Sequence, residues 1–336
     1  MKKIWLIIII AIAAGLLLSI IGISLGASRT LYLDTTGFYV DSSGETKITE
    51  TLDEIKNIRI DAGSSDIEIV IGDTFGIDLY GNNLEWLWSY ENGSLVIWHD
   101  KGTRFQIMNI NIFPPYNNNY VRVYIPEDAV LDFVTVIAGS GDIKINGVTT
   151  DSITASTRTG EVKLNNIISE HIQVEMSSGN LVSENINTRS MVYNNSTGDG
   201  IFKTVNAETI MIQGRSGDLR FTDCLFDEIG IINTTGSIHA TNLTSMRASI
   251  NNRSGDIRLS GTFTGESIIQ ATTGDIVIST SLGREEYSYD ISLRTGSITF
   301  DGERLRDQSA VTSGNTAENH MKLTTTSGDI KVEFAR

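Results

Sequence analysis

One cysteine, three prolines and four histidines are all that the 336 residues hold of those types. A lone Cys224 cannot close an intrachain disulfide, and one thiol cannot build a cysteine-cluster zinc site. Stability must therefore come from packing and hydrogen bonds. Basic residues are short as well: 26 Lys and Arg stand against 41 Asp and Glu, a net charge of −15. That balance argues against nucleic acid and against docking on anionic lipid, because both need a basic face. The acidity is read as a soluble, self-repelling exterior.

What is present fits a folded chain: 40% apolar and 20% charged residues, with 31 glycines. Segments crowded with Ile, Val and Thr, and punctuated by Gly, Asn and Asp, mark an all-β protein. The first 27 residues stand apart. Lys2 and Lys3 precede an apolar run from Ile4 to Leu25, long enough at about 1.5 Å per residue to cross a bilayer as a helix. Gly26-Ala27-Ser28 supplies the small residues of a cleavage site, but the run is longer than a signal peptide needs and favours an uncleaved anchor. Two lysines on one side, against Arg29 on the other, predict a cytoplasmic N-terminus and an extracytoplasmic remainder. Residues 1–27 carry two lysines and no acid, so that remainder holds 24 basic and 41 acidic residues, a net of −17.

The glycines carry the architecture. Gly141, Gly160, Gly179, Gly198, Gly217, Gly236, Gly255 and Gly274 recur every nineteen residues, and Gly296 and Gly328 follow after 22 and 32. A fixed period of this size predicts a solenoid. With the glycine as position zero, apolar residues fall into columns. Position +2 holds Ile143, Val162, Leu181 and Leu219, broken by Gly200. Position +4 holds Ile145, Leu164, Phe202 and Phe221, broken by Ser183. Further columns stand at +7 (Val148, Ile167, Ile186, Val205, Cys224), +12 (Ile153, Ile172, Met191, Ile210) and +14 (Ala155, Val174, Tyr193, Ile212, Ile231). Steps of two are strand alternation, and the step from +4 to +7 breaks parity, so the chain turns there. Each repeat is expected to be one coil: strand, corner, short inward segment, loop, second strand, turn. Cys224, in the inward +7 column, is expected to be a small buried hydrophobe.

The expected fold is thus a right-handed parallel β-helix with coils of about nineteen residues, preceded by one transmembrane helix. Boundaries follow: 1–27 anchor, 28–54 stalk, 55–135 β cap with an Asn92-Gly93 hairpin, 136–300 solenoid, 301–322 polar insertion with Asp301–Asn319 read as a loop, 323–336 terminal coil.

Four features resemble a large bacterial family known as "putative adhesins", a β-strand-repeat domain without an agreed catalytic motif. They are the anchored N-terminus, the opening "IKNIRIDAGSSDIEIVIGD", the passage "VRVYIPEDAVLDFVTVIAGSGDIKI", and the recurring Ser/Thr-Gly-Asp-Ile unit, together covering about residues 50–336. The resemblance implies a β-solenoid on the cell envelope, with some members beside envelope-stress signalling systems. It brings no active-site residue.

Chemistry within the repeats is weighed residue by residue. An acid follows the glycine at Asp142, Glu161, Asp199, Asp218, Asp256 and Asp275, interrupted by Asn180 and Ser237. Calcium β-rolls use glycine–aspartate repeats at a period of about nine, with several glycines per turn. Lys144, Lys163, Arg220 and Arg258 at +3, and Arg158, Arg215 and Arg253 at −2, favour a self-neutralising surface ladder instead, so no metal or cofactor is expected. The Ser/Thr column before the glycine lacks a base in register, so its hydroxyls are expected to serve the turn. The candidate binding surface is aromatic: Trp86, Trp88 and Tyr90 on one strand face with Trp98 on its partner, placed either to meet a ligand or to pack the cap on the first coil. The expected function is non-enzymatic presentation of a rigid surface to a wall glycan or an envelope protein. The competing class is a polysaccharide lyase or glycoside hydrolase on the same scaffold.

Overall fold

The computed structural model describes residues 45–335 apart from 83–85, 100–104, 110–118, 306–307 and 315–316, together with Trp5, Gly15, Leu17, Leu18, 30–34 and 37–40. The expected anchor over 4–25 lies almost wholly outside the described residues, and among those no helix is long and apolar enough to cross a membrane.

The period becomes seven consecutive strands of 17 residues, from Ile143–Thr159 to Ile257–Thr273. Each pairs in parallel with the next at a register of nineteen, as in Ile143↔Val162 and Ala155↔Val174. The loop expected between the second and third segments is absent. Pairing runs from Thr150↔Ser169 to Ser152↔His171 across a sharp bend. The alternation of buried and exposed residues slips twice within a coil, near +5 and near +10. With the glycine turn, these bends divide each coil into three flanks.

Each corner has its own chemistry. At the first, residue +6 takes a positive φ: Asn166 (53°), Asn185 (55°), Asp223 (54°) and Asn242 (55°). Asn and Asp tolerate this left-handed region best among residues with a Cβ. At the second, a buried hydroxyl at +9 serves the carbonyls loosened by the bend: Thr188 Oγ1 donates to Glu170 O at 3.3 Å and Ser190 O at 3.2 Å. At the third, a Cβ on Gly217 would drive into the carbonyl oxygen of Gly198, and the same holds of Gly236 over Gly217 and Gly255 over Gly236. Glycine recurs because each coil's carbonyl occupies the place of the next coil's side chain. Buried amides satisfy that carbonyl from within: Asn252 Nδ2 donates to Gly236 O and to Gly255 O, both at 2.9 Å.

The two breaks in the apolar columns each stand beside a large ring. Tyr193 is buried, and a Cβ on Gly200 would sit 3.0 Å from its ring. Gly200 makes room for that ring, which leads into a file of Phe202, Phe221 and Phe226, and small Ser183 stands in register with Phe202. Burial pushes the Tyr193 phenol well above its usual range. Cys224 sits in the core as expected, 2% exposed, and burial raises its thiol too.

The ends depart from the sequence reading. Part of the stalk is β structure: Glu45–Thr51 pairs antiparallel with Gly76–Asn82, and Thr30–Asp34 lies between Gly37–Val40 and Phe105–Asn109. The boundary at 135 does not exist in the fold, because Val130–Ala138 pairs in parallel with both Asn57–Asp61 and Ile143–Thr159. The Asn92-Gly93 hairpin forms as expected, with φ of 51° and 77° between Trp86–Glu91 and Ser94–His99.

At the other end the last coil in sequence is not the last in space. Asn319–Ser327 inserts between Ile257–Thr273 and Tyr287–Thr295, while Ile330–Ala335 inserts between Ile276–Gly283 and Ile298–Phe300. The turn glycines therefore stack in the order Gly274, Gly328, Gly296. Reading 301–322 as a plain loop is corrected: Glu303–Leu305 and Ala310–Thr312 pair antiparallel with the outermost strands. They cover edges that would otherwise offer a free ladder to another chain.

Candidate functional site

The four aromatic residues singled out in the sequence do not form one surface. In the hairpin, Trp86 faces His99, Trp88 faces Ile97 and Tyr90 faces Leu95, whereas Trp98 faces Leu87 and so lies on the opposite side of the sheet. Trp86 is 3% exposed and donates its Nε1–H to Tyr80 O at 2.9 Å. Trp88 and Tyr90 pack partly buried against the core, and the Tyr90 hydroxyl donates to Glu54 O at 2.9 Å. Trp98 alone presents a ring to solvent, at 38% exposure. Three of the four thus pack the cap on the column.

The acidic ladder has a second job beyond neutralising charge. Its carboxylates accept backbone N–H groups of the next coil: Glu161 N donates to Asp142 Oδ1 at 2.8 Å, Asp218 N to Asp199 Oδ1 at 2.8 Å and Ser237 N to Asp218 Oδ1 at 2.9 Å. Asn180 does not interrupt this chain, since its Oδ1 accepts from Asp199 N at 2.9 Å. An acceptor oxygen, with or without charge, is what the position requires. The hydrogen bond from Asp275 N, with Arg258 alongside, holds Asp256 below the usual carboxylate range.

The bases divide. Those at +3 are paired: Lys163 with Glu161 at 2.6 Å, Arg220 with Asp218 at 3.0 Å and Arg258 with Asp256 at 2.8 Å. Those at −2, Arg158, Arg215 and Arg253, are exposed and make no ion pair among the described residues. Arg294, in the same position before Gly296, is likewise exposed and unpaired.

The Ser/Thr column before each glycine serves through its backbone. Gly160 N donates to Ser178 O at 3.2 Å and Gly217 N to Thr235 O at 3.0 Å, while the hydroxyls stand mostly in solvent. A hydroxyl–imidazole contact arises elsewhere, where the period sets residues nineteen apart side by side: His171 Nδ1 lies 2.8 Å from Ser190 Oγ. Both are in the open, and no carboxylate bonds that ring among the described residues. Nor does any group of three His, Cys, Asp or Glu gather there as metal ligands would.

The three flanks differ in character. The second bears an open groove of about 440 Å³ lined by Asp151, Glu170, Glu208 and Asp227, with Arg189 held by Glu170 at 3.1 Å and Glu208 at 3.8 Å. The third is almost uncharged across its middle, between the +11 row of Glu228, Arg247 and Glu266 and the arginines at −2. Two outward positions per coil over seven coils, from Thr154 to Gln270, give fourteen residues, of which Gly230 has no side chain and only Glu175 is charged. It carries an open groove of about 490 Å³ lined by Ser156, Ser177, Asn194, Ser196, Gln213, Arg215 and Ile232. Sequence reasoning missed this flank because it followed the inward columns. The signal was in the outward +13 and +15 positions.

The family model described as Toastrack DUF4097 matches the chain twice, over residues 55–199 and 169–333, and so spans the column from cap to cap. No curated protein matches. Among solved structures, a "putative adhesin" from Parabacteroides distasonis is 11% identical over 86% of this chain and 98% of its own, with a TM-score of 0.42. A "putative lipid binding protein" from the same species is 14% identical over 87% and 97%, with a TM-score of 0.40. A "putative adhesin" from Bacteroides fragilis is 11% identical over 87% and 98%, with a TM-score of 0.33.

Proposed function

The chain belongs to the Toastrack DUF4097 family, and from that premise we propose that it is a non-enzymatic protein of the cell envelope. A right-handed β-solenoid would be held outside the membrane by the helix of residues 4–25, with Lys2 and Lys3 in the cytoplasm. Its work is to present a rigid flank to a wall component or an envelope partner, with a role in envelope-stress signalling as one setting. The observation that carries the reading is the third flank: a nearly uncharged sheet face on a protein of net charge −15. Such a face repels neither a neutral polymer nor a folded partner, and the stacked coils hold it flat.

Full-length protein in detergent, mixed with purified cell-wall material, is expected to co-sediment with it and to release no reducing or unsaturated ends. Release that rises with protein concentration would refute the non-enzymatic reading and favour a lyase or hydrolase. Protease added to intact cells should digest the chain beyond residue 28. Full protection would overturn the orientation.

A further inference from the structure

The unpaired arginines occupy one edge of the uncharged flank. Through the stacking order Gly160 to Gly274, then Gly328 and Gly296, Arg158, Arg215, Arg253 and Arg294 lie three, two and three coils apart. At about 4.8 Å per coil, that spaces four positive charges by roughly 14, 10 and 14 Å along one edge of the column. The acids nearest in sequence, around the glycine corner, are occupied by the +3 bases and by backbone N–H groups. Between the arginines the edge offers hydroxyls at Ser177, Ser196 and Thr234, with Asn194 and Gln213 one row inward beside Glu175, whose carboxylate accepts from Gln173 Nε2 at 2.8 Å. Beside them Val192, Met211 and Ile232 are 36%, 38% and 60% exposed.

We infer that this edge is a binding track for an extended acidic glycan, one whose carboxylate, phosphate or sulfate groups are separated by neutral sugars. This rests on the reading of the third flank as the presented surface. Arginine forks take anionic groups in pairs of hydrogen bonds. Amides and hydroxyls match sugar hydroxyls, and exposed aliphatic side chains match the C–H faces of the rings. The spacing argues for sparse negative charge. A nucleic acid, with one charge about every 1.7 Å along a duplex, would meet four arginines and be repelled by the rest of the molecule.

The test uses the full-length protein in neutral detergent. Its probes are hyaluronan, which carries a carboxylate on alternate sugars, polygalacturonate, which carries one on every sugar, and uncharged dextran. Hyaluronan should bind, dextran should not, and binding should weaken as salt rises. The variant R158Q/R215Q/R253Q/R294Q should lose on the order of tenfold or more in affinity for hyaluronan, with its circular dichroism and Tm unchanged. R220Q, which removes a paired arginine, should bind as wild type does. Polygalacturonate bound more tightly than hyaluronan would overturn the sparse-charge match, and a quadruple variant that retains full affinity would overturn the track. Cell-wall material that still co-sediments in those cases leaves the broader reading standing, so the two failures are distinguishable.

Discussion

Gly217→Ala tests whether the glycine column is a stacking device. The backbone at Gly217 has φ of 140°, a region residues with a Cβ rarely adopt, and the added methyl would meet the Gly198 carbonyl head-on. The backbone conformation alone costs about 1–3 kcal/mol. Relief requires the two coils to part, which strains the bonds from Gly198 N to Ser216 O and from Gly200 N to Asp218 O, both 2.9 Å, each worth about 1 kcal/mol net. A total of about 3–5 kcal/mol follows. Gly302→Ala is the control: φ is 83°, but nothing lies within 4 Å of its new Cβ, so it should lose only the backbone contribution of about 1–2 kcal/mol. Solenoid stability is close to a sum of nearest-neighbour contributions, so the loss should be local. Amide hydrogen exchange is the assay. In the strands Gly200–Ser216 and Leu219–Thr235, G217A should speed exchange by roughly a hundredfold or more, while G302A leaves those amides unchanged. Equal effects of the two variants on these strands would refute the stacking argument.

Asp218→Ala should destabilise by about 1 kcal/mol through loss of the acceptor for Ser237 N, whereas Asp218→Asn should be nearly neutral in urea unfolding, as Asn180 already serves in that role. Thr204 holds φ of 52° at a corner its neighbours fill with Asn185 and Asp223, so Thr204→Asn should raise Tm, stabilising by about 0.5–1 kcal/mol. Trp86→Ala should cost about 3–5 kcal/mol by thermal melting, and Trp98→Ala far less, since the first ring is 3% and the second 38% exposed. Burial alone would raise Glu68, but its hydrogen bonds with Arg122 and Lys144, and their charges, hold it below its ordinary value. Asp256 is also lowered. Carboxylates lowered on folding contribute stability above their unfolded values and lose it as pH falls through the folded ones. Tm should therefore fall from about pH 4.5 downward, and Glu68→Gln should flatten that limb; an unchanged slope would contradict the pairing.

The sequence showed the column plainly because its inward +2, +4, +7, +12 and +14 positions are mostly Ile, Val and Leu. Two further inward positions were invisible to a search for apolar residues. Position +9 is buried as Thr150, Ser169 and Thr188, and +16 as Thr157, Asn195, Asn233 and Asn252, because corner carbonyls need donors inside the coil. The order of the final coils was not legible either. Parallel pairing fixes register by local pattern, and any coil carrying the same pattern can sit on any other. The aromatic residues were legible as important but not as to side. A one-residue offset between Trp98 and its partners decides which ring meets water, and only the hairpin register supplies it. The charge ladder misled for a similar reason, since a side chain's charge hides the fact that its oxygen is an acceptor for backbone.

The inserted final strands set a clock for maturation. Tyr287–Thr295 and Ile298–Phe300 have nothing beneath them until Asn319–Ser327 and Ile330–Ala335 exist. Those two segments come later in the chain than the strands they separate, so an emerging polypeptide can first build the column only up to Ile257–Thr273 and its neighbour Ile276–Gly283. The rest waits for residues 319–335 to arrive and slide in as a keystone. A chain cut short by even one coil would lose two, and its exposed edge would be open to whichever strand came next.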